Sequence, residues 1–170
     1  IKMGLTNILI DTGLEISSGQ LLKNLVSVNC NKLDYLILTH THFDHCSAVN
    51  TITRRFPCKV VLSKYEKECA LNGYTPIPEG TNHFSRLVAS IGVKIGKIVG
   101  NYKPFDANIE IGEKLDFMLH GVNIKVIHTP GHSAGSLTVV ADNEIAITGD
   151  TLFGVFGNSV MPPFADDVNL

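Results

Sequence analysis

Thr39-His40-Thr41-His42-Phe43-Asp44-His45 places four side chains able to hold a metal ion, His40, His42, Asp44 and His45, within a few residues of one another. Imidazole nitrogens and carboxylate oxygens together suit zinc, iron, manganese and nickel. The four cysteines, Cys30, Cys46, Cys58 and Cys69, form no C-x-x-C pair, which argues against a structural cysteine-rich zinc site and for a catalytic one. A metal-free polar loop would leave the same groups to be desolvated without partners, which is costly. Two further candidates follow apolar runs: His132 in Thr129-Pro130-Gly131-His132-Ser133, and Asp150 in Thr148-Gly149-Asp150-Thr151. Pro130 fixes a turn, and Gly131 and Gly149 admit backbone conformations that would strain a larger residue. Standing alone, His132 reads as a turn histidine and Asp150 as a helix cap. Their order after the cluster makes both ligand candidates. His83, His120 and His128 read as structural or exposed, and Cys46 as a small buried hydrophobe.

The elements that must position these residues alternate between strand and helix. Leu5 to Ile10 reads as a strand ending at Asp11-Thr12-Gly13, and Ser17-Ser18 as the cap of a helix ending near Asn29. Tyr35 to Leu38 is a short continuous apolar run, as expected of a strand buried on both faces, and the histidine cluster begins just beyond it. A helix from about Ala48 is stopped by Pro57; Lys59 to Leu62 makes another buried strand, and Ser63 caps a helix reaching about Leu71. Residues 73–80 read as a Pro- and Gly-rich loop, and 82–99 as an amphipathic helix with Gly92, Gly96 and Gly100 on one side. That glycine face reads as a packing surface, or as a lid over the site. From Ile109 onward short strands dominate, the last two joined by a turn at Asp142-Asn143. The pattern is α/β, with mixed and largely antiparallel sheets.

A chain of 170 residues can bury one sizeable core and is too short for two full-sized domains. Neither the 44% hydrophobic content nor any apolar run suggests a bilayer span, which needs roughly 18 apolar residues. With 14 basic and 16 acidic residues and no basic block, a dedicated nucleic-acid binder is disfavoured; a small-molecule substrate is expected, with no nucleic acid and no membrane as partner. Unpaired thiols point to the cytoplasm.

Taken in order, Asp11-Thr12-Gly13, the T-H-x-H-x-D-H run from Thr39 to His45, Thr129-Pro130-Gly131-His132-Ser133 and Thr148-Gly149-Asp150 resemble the motifs of the metallo-β-lactamase superfamily along nearly the whole chain. The resemblance implies an α/β fold: a four-layer αββα sandwich with a metal site at one edge. It also implies zinc, as one or two ions, with iron or manganese suiting the same donors. Carried over, the pattern puts His40, His42 and His132 on a first metal, Asp44 and His45 on a second, and Asp150 between them. Asp11 would orient the ligand loop through an outer hydrogen bond. The superfamily usually supplies one more histidine after the T-G-D strand, and none follows His132 here. It also has strands before D-T-G that are curtailed at Ile1. Residues 1–170 are therefore expected to be a single metallo-β-lactamase-like domain, truncated at both ends, with a helical insertion at about 73–108. A second metal lacking the late histidine would be weakly held.

The chemistry implied is metal-assisted hydrolysis, with Asp44 holding or accepting a proton. Ester, thioester and lactone substrates all fit, as in the glyoxalase-II-like and lactonase-like branches. Sulfur dioxygenases offer an oxidative alternative, needing only the equivalents of His40, His132 and Asp150 around one iron. An RNA-processing nuclease fits less well, given a net charge of −2. A metal-binding protein without turnover is the remaining class.

Overall fold

Two β-sheets face each other across one apolar layer in the computed structural model, which describes residues 1–78, 80, 81, 85, 100–117, 123–155 and 158–167. The first sheet has the order β1 (Lys2–Met3), β2 (Thr6–Ile10), β3 (Tyr35–Ile37), β4 (Lys59–Ser63), β5 (Ile109–Ile111). Only β1 runs antiparallel to its neighbour; β2, β3, β4 and β5 are mutually parallel, with Ile8 opposite Tyr35, Ile37 opposite Val61 and Val61 opposite Ile109. The second sheet is antiparallel: β6 (Lys114–Phe117), β7 (Ile124–His128), β8 (Leu137–Ala141), β9 (Ile145–Ile147). A hairpin of β10 (Phe153–Val155) and β11 (Asn158–Val160) stands apart.

Side chains alternate across a strand, so each parallel strand serves two cores. Ile8, Ile37, Val61 and Ile111 point between the sheets and meet Ile124, Val126, Leu137 and Val139 of the second. Leu36, Leu38, Val60 and Leu62 point the other way, onto Cys46, Val49 and Ala70 of the helices α2 (Phe43–Cys46), α3 (Val49–Arg55) and α4 (Lys67–Asn72). The helix α1 (Ser18–Ser27) lays Leu21, Leu22 and Leu25 beside Leu33, Ile52 and Phe56. Each large aliphatic side chain so buried contributes about 1.5–3 kcal/mol. The continuous apolar runs at 35–38 and 60–62 are thus strands covered on both faces.

The expectation of mixed, largely antiparallel sheets holds for the second sheet and the β10–β11 hairpin, whereas the first sheet is mostly parallel. Helices between β2, β3 and β4 force parallel crossovers in the first, because a chain that leaves a strand through a helix returns to its starting edge. Ser17 does not cap α1 with its side chain; a 3-10 turn at Glu15–Ser17 leads into the helix instead. The turn at Asp142 and Asn143 joins β8 to β9 with both residues at positive φ (53° and 58°), as a tight hairpin requires. The expected helix over 82–99 lies outside the described residues, Ser85 apart, as do His83 and His120. No described helix is long and apolar enough to cross a membrane.

Parallel strands end on the same side, so the loops after β2, β3 and β4 gather at one edge. Leu137 N donates to the Thr39 carbonyl (2.8 Å), which docks the start of β8 beside the loop after β3. The β7–β8 loop, carrying His132, and the turn after β9, carrying Asp150, therefore arrive at that edge too.

Candidate metal centre

The loop after β3 delivers His40, His42 and His45, and α2 begins within it, so His42 precedes a helix while Asp44 and His45 lie in its single turn. His40, His42 and His132 are buried, and their ring centroids lie 4.6–4.8 Å apart. His45 sits against His40 at 4.1 Å. Donor atoms of His40, His42 and His132 fall within 4.8 Å of one another, as do those of His40, His45 and Asp150. Asp150 faces both sides: Oδ1 is 3.4 Å from His45 Nε2, and Oδ2 is 3.7 Å from His132 Nε2. Asp44 stands at the rim with its side chain 50% exposed and Oδ2 3.9 Å from His45 Nε2. It belongs to neither close group among the described residues.

Outer hydrogen bonds decide which nitrogen of each ring is free. His42 Nε2 meets the Pro76 carbonyl (3.1 Å) and His132 Nδ1 the Phe164 carbonyl (2.7 Å); a carbonyl only accepts, so both nitrogens are protonated donors. Thr39 Oγ1 donates to Asp11 Oδ2 (2.8 Å), so in its contact with His40 Nδ1 (3.0 Å) the ring is the donor. The neutral rings thus keep lone pairs on His40 Nε2, His42 Nδ1 and His132 Nε2, the atoms that converge. His42 Nδ1 and His132 Nε2 lie 2.9 Å apart. Two lone pairs at that separation repel unless a cation or proton lies between them. Among the described residues His40 Nε2 is buried with no hydrogen-bond partner, an arrangement that costs about 1–3 kcal/mol if nothing binds it. A metal ion suits this donor set, and histidine ligands held by outer carbonyl or carboxylate partners are the usual form of such sites.

Electrostatics divide the cluster. Burial, reinforced by the neighbouring imidazoles, pushes His40 well below the ordinary histidine range, and burial with His132 nearby takes His42 to about 4. For His45, burial disfavours the charged form, but hydrogen bonds and charge from Asp11 and Asp150 outweigh it and lift the pKa to about 10. Asp150 is lowered despite burial, through His45. His45 faces Asp11 through Nδ1 and Asp150 through Nε2, so both carboxylates favour its charged form.

Asp11 is the hub of the surrounding shell. It ends β2 at φ 56°, a left-handed conformation that aspartate tolerates, and its carboxylate accepts from Thr39 N (2.8 Å), Thr39 Oγ1 and His45 Nδ1 (2.8 Å). Gly149, at φ 54°, packs so tightly against Thr39 that a Cβ there would lie 2.6 Å from Thr39 Oγ1. Elsewhere, His128 stacks on Tyr65 at 4.7 Å and Cys46 Sγ donates to the Thr41 carbonyl (3.2 Å). None of the four cysteines is in a disulfide. A cleft of about 210 Å³ opens onto the cluster, lined by His42, Asp44, His132 and Asp150 and by Phe43, Ile77, Pro78 and Phe164. The carbonyls of Pro76 and Phe164 and the side chain of Glu66, in the 3-10 turn after β4, have no signature in residue type or spacing.

The chain belongs to the metallo-β-lactamase superfamily, whose model matches residues 4–164. It is 30% identical over 151 residues to a probable metallo-hydrolase of Methanocaldococcus jannaschii, covering 89% of this chain and 65% of that protein. It is 28% identical over 120 residues to a hydroxyacylglutathione hydrolase of Xylella fastidiosa, covering 71% of this chain and 33% of that one. In fold it is similar to a subclass B3 metallo-β-lactamase of Bradyrhizobium japonicum, with a TM-score of 0.67 at 18% identity, over 94% of this chain and 51% of that structure. The chain spans about half the length of several curated relatives it matches.

Proposed function

We propose that this chain carries the metal centre of a metallo-hydrolase that cleaves a thioester, ester or lactone of a small molecule, with zinc at a binuclear site. The observation that carries the reading is the convergence of three lone pairs, on His40 Nε2, His42 Nδ1 and His132 Nε2, in a buried pocket where the first has no hydrogen-bond partner among the described residues. Those atoms would hold a first ion; His45 Nε2 and Asp44 would hold a second, with Asp150 facing both. Bound there, such ions supply Lewis acidity and bring the pKa of water towards about 7. Asp44, at the open rim, is placed to take the proton of the attacking water and pass it to the leaving group. Phe43, Ile77, Pro78 and Phe164 offer an apolar wall for the acyl part of the substrate and exclude bulk water from the reacting carbonyl. Similarity to hydroxyacylglutathione hydrolases favours a thioester, and unpaired cysteines suit a reducing cytoplasm.

Metal analysis of the purified chain combined with a substrate panel tests this reading. The expected result is about two zinc ions per chain and hydrolysis of acyl thioesters that a chelator removes and zinc restores. A single iron with oxygen uptake on a persulfide, or cleavage of precursor RNA without esterase activity, would replace it.

A further inference from the structure

Glu66 lies in the 3-10 turn Lys64–Glu66 after β4, only 3% exposed and outside the set of candidate ligands. A carboxylate that deeply buried has to be matched by donors. Its donors come from the two loops that carry the histidines. Oε2 accepts from Thr41 N (3.2 Å) and from the Thr41 hydroxyl, on the residue between His40 and His42. Oε1 accepts from Ser133 Oγ (2.7 Å) and Gly135 N (3.0 Å), just beyond His132. One side chain thereby ties together two loops that are remote in sequence.

The surroundings fit a clamp. With the Thr41 hydroxyl proton given to Glu66, Thr75 Oγ1 donates to the Thr41 carbonyl (2.7 Å) and Tyr102 donates to Thr75 (2.8 Å). Burial pushes the Tyr102 hydroxyl upward in pKa, which keeps it a donor. Thr75 precedes Pro76, whose carbonyl receives His42 Nε2, so the chain of hydrogen bonds returns to a ligand candidate. Independently, a Cβ on Gly135 would fall on the Glu66 side chain, with Oε1 at 2.8 Å. The His132 loop is therefore pressed against this carboxylate as closely as a residue without a side chain allows.

We propose that Glu66 is a positioning residue: it sets the separation between the His40/His42 loop and His132, and so the geometry of the first metal position. The inference rests on the metal-binding reading above. A residue that merely filled space would affect folding and leave the geometry of a bound metal unchanged, whereas a clamp governs that geometry directly.

The test compares metal-free wild type, Glu66→Gln and Ser133→Ala. Zinc affinity is measured by competition with a chromogenic chelator, cobalt(II) absorption reports ligand geometry, and circular dichroism reports folding. Glu66→Gln keeps the shape of the side chain but replaces an acceptor oxygen with an NH₂ donor facing other donors. The expected result is a folded chain that binds zinc about 10–100-fold more weakly and shows altered cobalt(II) bands. Ser133→Ala removes one of the clamp's contacts, with an expected loss of about two- to tenfold, the worth of one hydrogen bond. If Glu66→Gln does not fold, Ser133→Ala decides the matter. Wild-type affinity and cobalt(II) bands in a folded variant overturn the clamp and leave the metal centre standing. A wild-type chain that takes up neither metal overturns both.

Discussion

A histidine in this cluster is defined by what its second nitrogen touches. His42 and His132 each donate to a main-chain carbonyl and His45 to Asp11, so the tautomers are set before any metal arrives. Asp44 differs, being half-exposed at the rim of the cleft with its Oδ2 3.9 Å from His45 Nε2. This placement suits proton handling better than structural support. Asp44→Asn keeps the size and removes the basicity, so kcat should fall about 10²–10⁴-fold while the zinc bound by His40, His42 and His132 is retained. Steady-state kinetics alongside metal content checks this; full activity in the variant would remove Asp44 from the mechanism. The residue types suited to metal binding were legible from sequence because four of them lie close together and the other two follow apolar runs. Glu66 and Thr75 were not, because their roles come from where the backbone leads rather than from any local pattern.

At the scale of elements, the strands close to the site could be read from short apolar runs, and Pro57 correctly marked the end of a helix, with α3 stopping at Arg55 and Phe56 turning extended before the proline. Strand direction was less legible. Apolar runs at 35–38 and 60–62 look alike in either orientation, and only the intervening helices make them parallel. That direction matters, since it brings Asp11, the histidine loop and Glu66 to one edge. The turn after β9 joins them through Gly149. In Gly149→Ala, a Cβ would be forced into a left-handed backbone and against Thr39, the residue that holds both Asp11 and the His40 ring. The expected cost is about 1–3 kcal/mol, or several degrees in melting temperature, together with weaker metal binding. Thermal melts of the metal-free and zinc-loaded forms check it; an unchanged melting temperature in both would show that the turn has room to relax.

Across the whole molecule, the buried imidazoles make stability depend on pH in opposite directions on either side of pH 6.5. In the metal-free chain, burial takes the pKa of His42 from 6.5 to about 4 and moves His40 the same way. The unfolded chain therefore binds these protons first, and stability falls as the pH drops from 6.5 towards 4. Asp150, lowered in the fold, adds to the loss below its ordinary value of 3.8. His45 behaves in the opposite sense. Burial works against its charge, but Asp11 and Asp150 raise it to about 10, so the folded chain keeps a proton that the unfolded chain releases above pH 6.5. That contribution is complete below pH 6.5 and is lost as the pH rises through 10. The melting temperature of the chelated protein should therefore peak near pH 6.5–7 and decline by pH 9. Zinc should flatten the alkaline decline, because a cation on His45 Nε2 takes the place of the proton that faces Asp150 while Nδ1 keeps its own on Asp11. Circular dichroism melts with chelator and with zinc across this range provide the measurement. A chelated chain with constant stability from pH 6.5 to 9 would show that Asp11 and Asp150 do not hold His45 in its charged form.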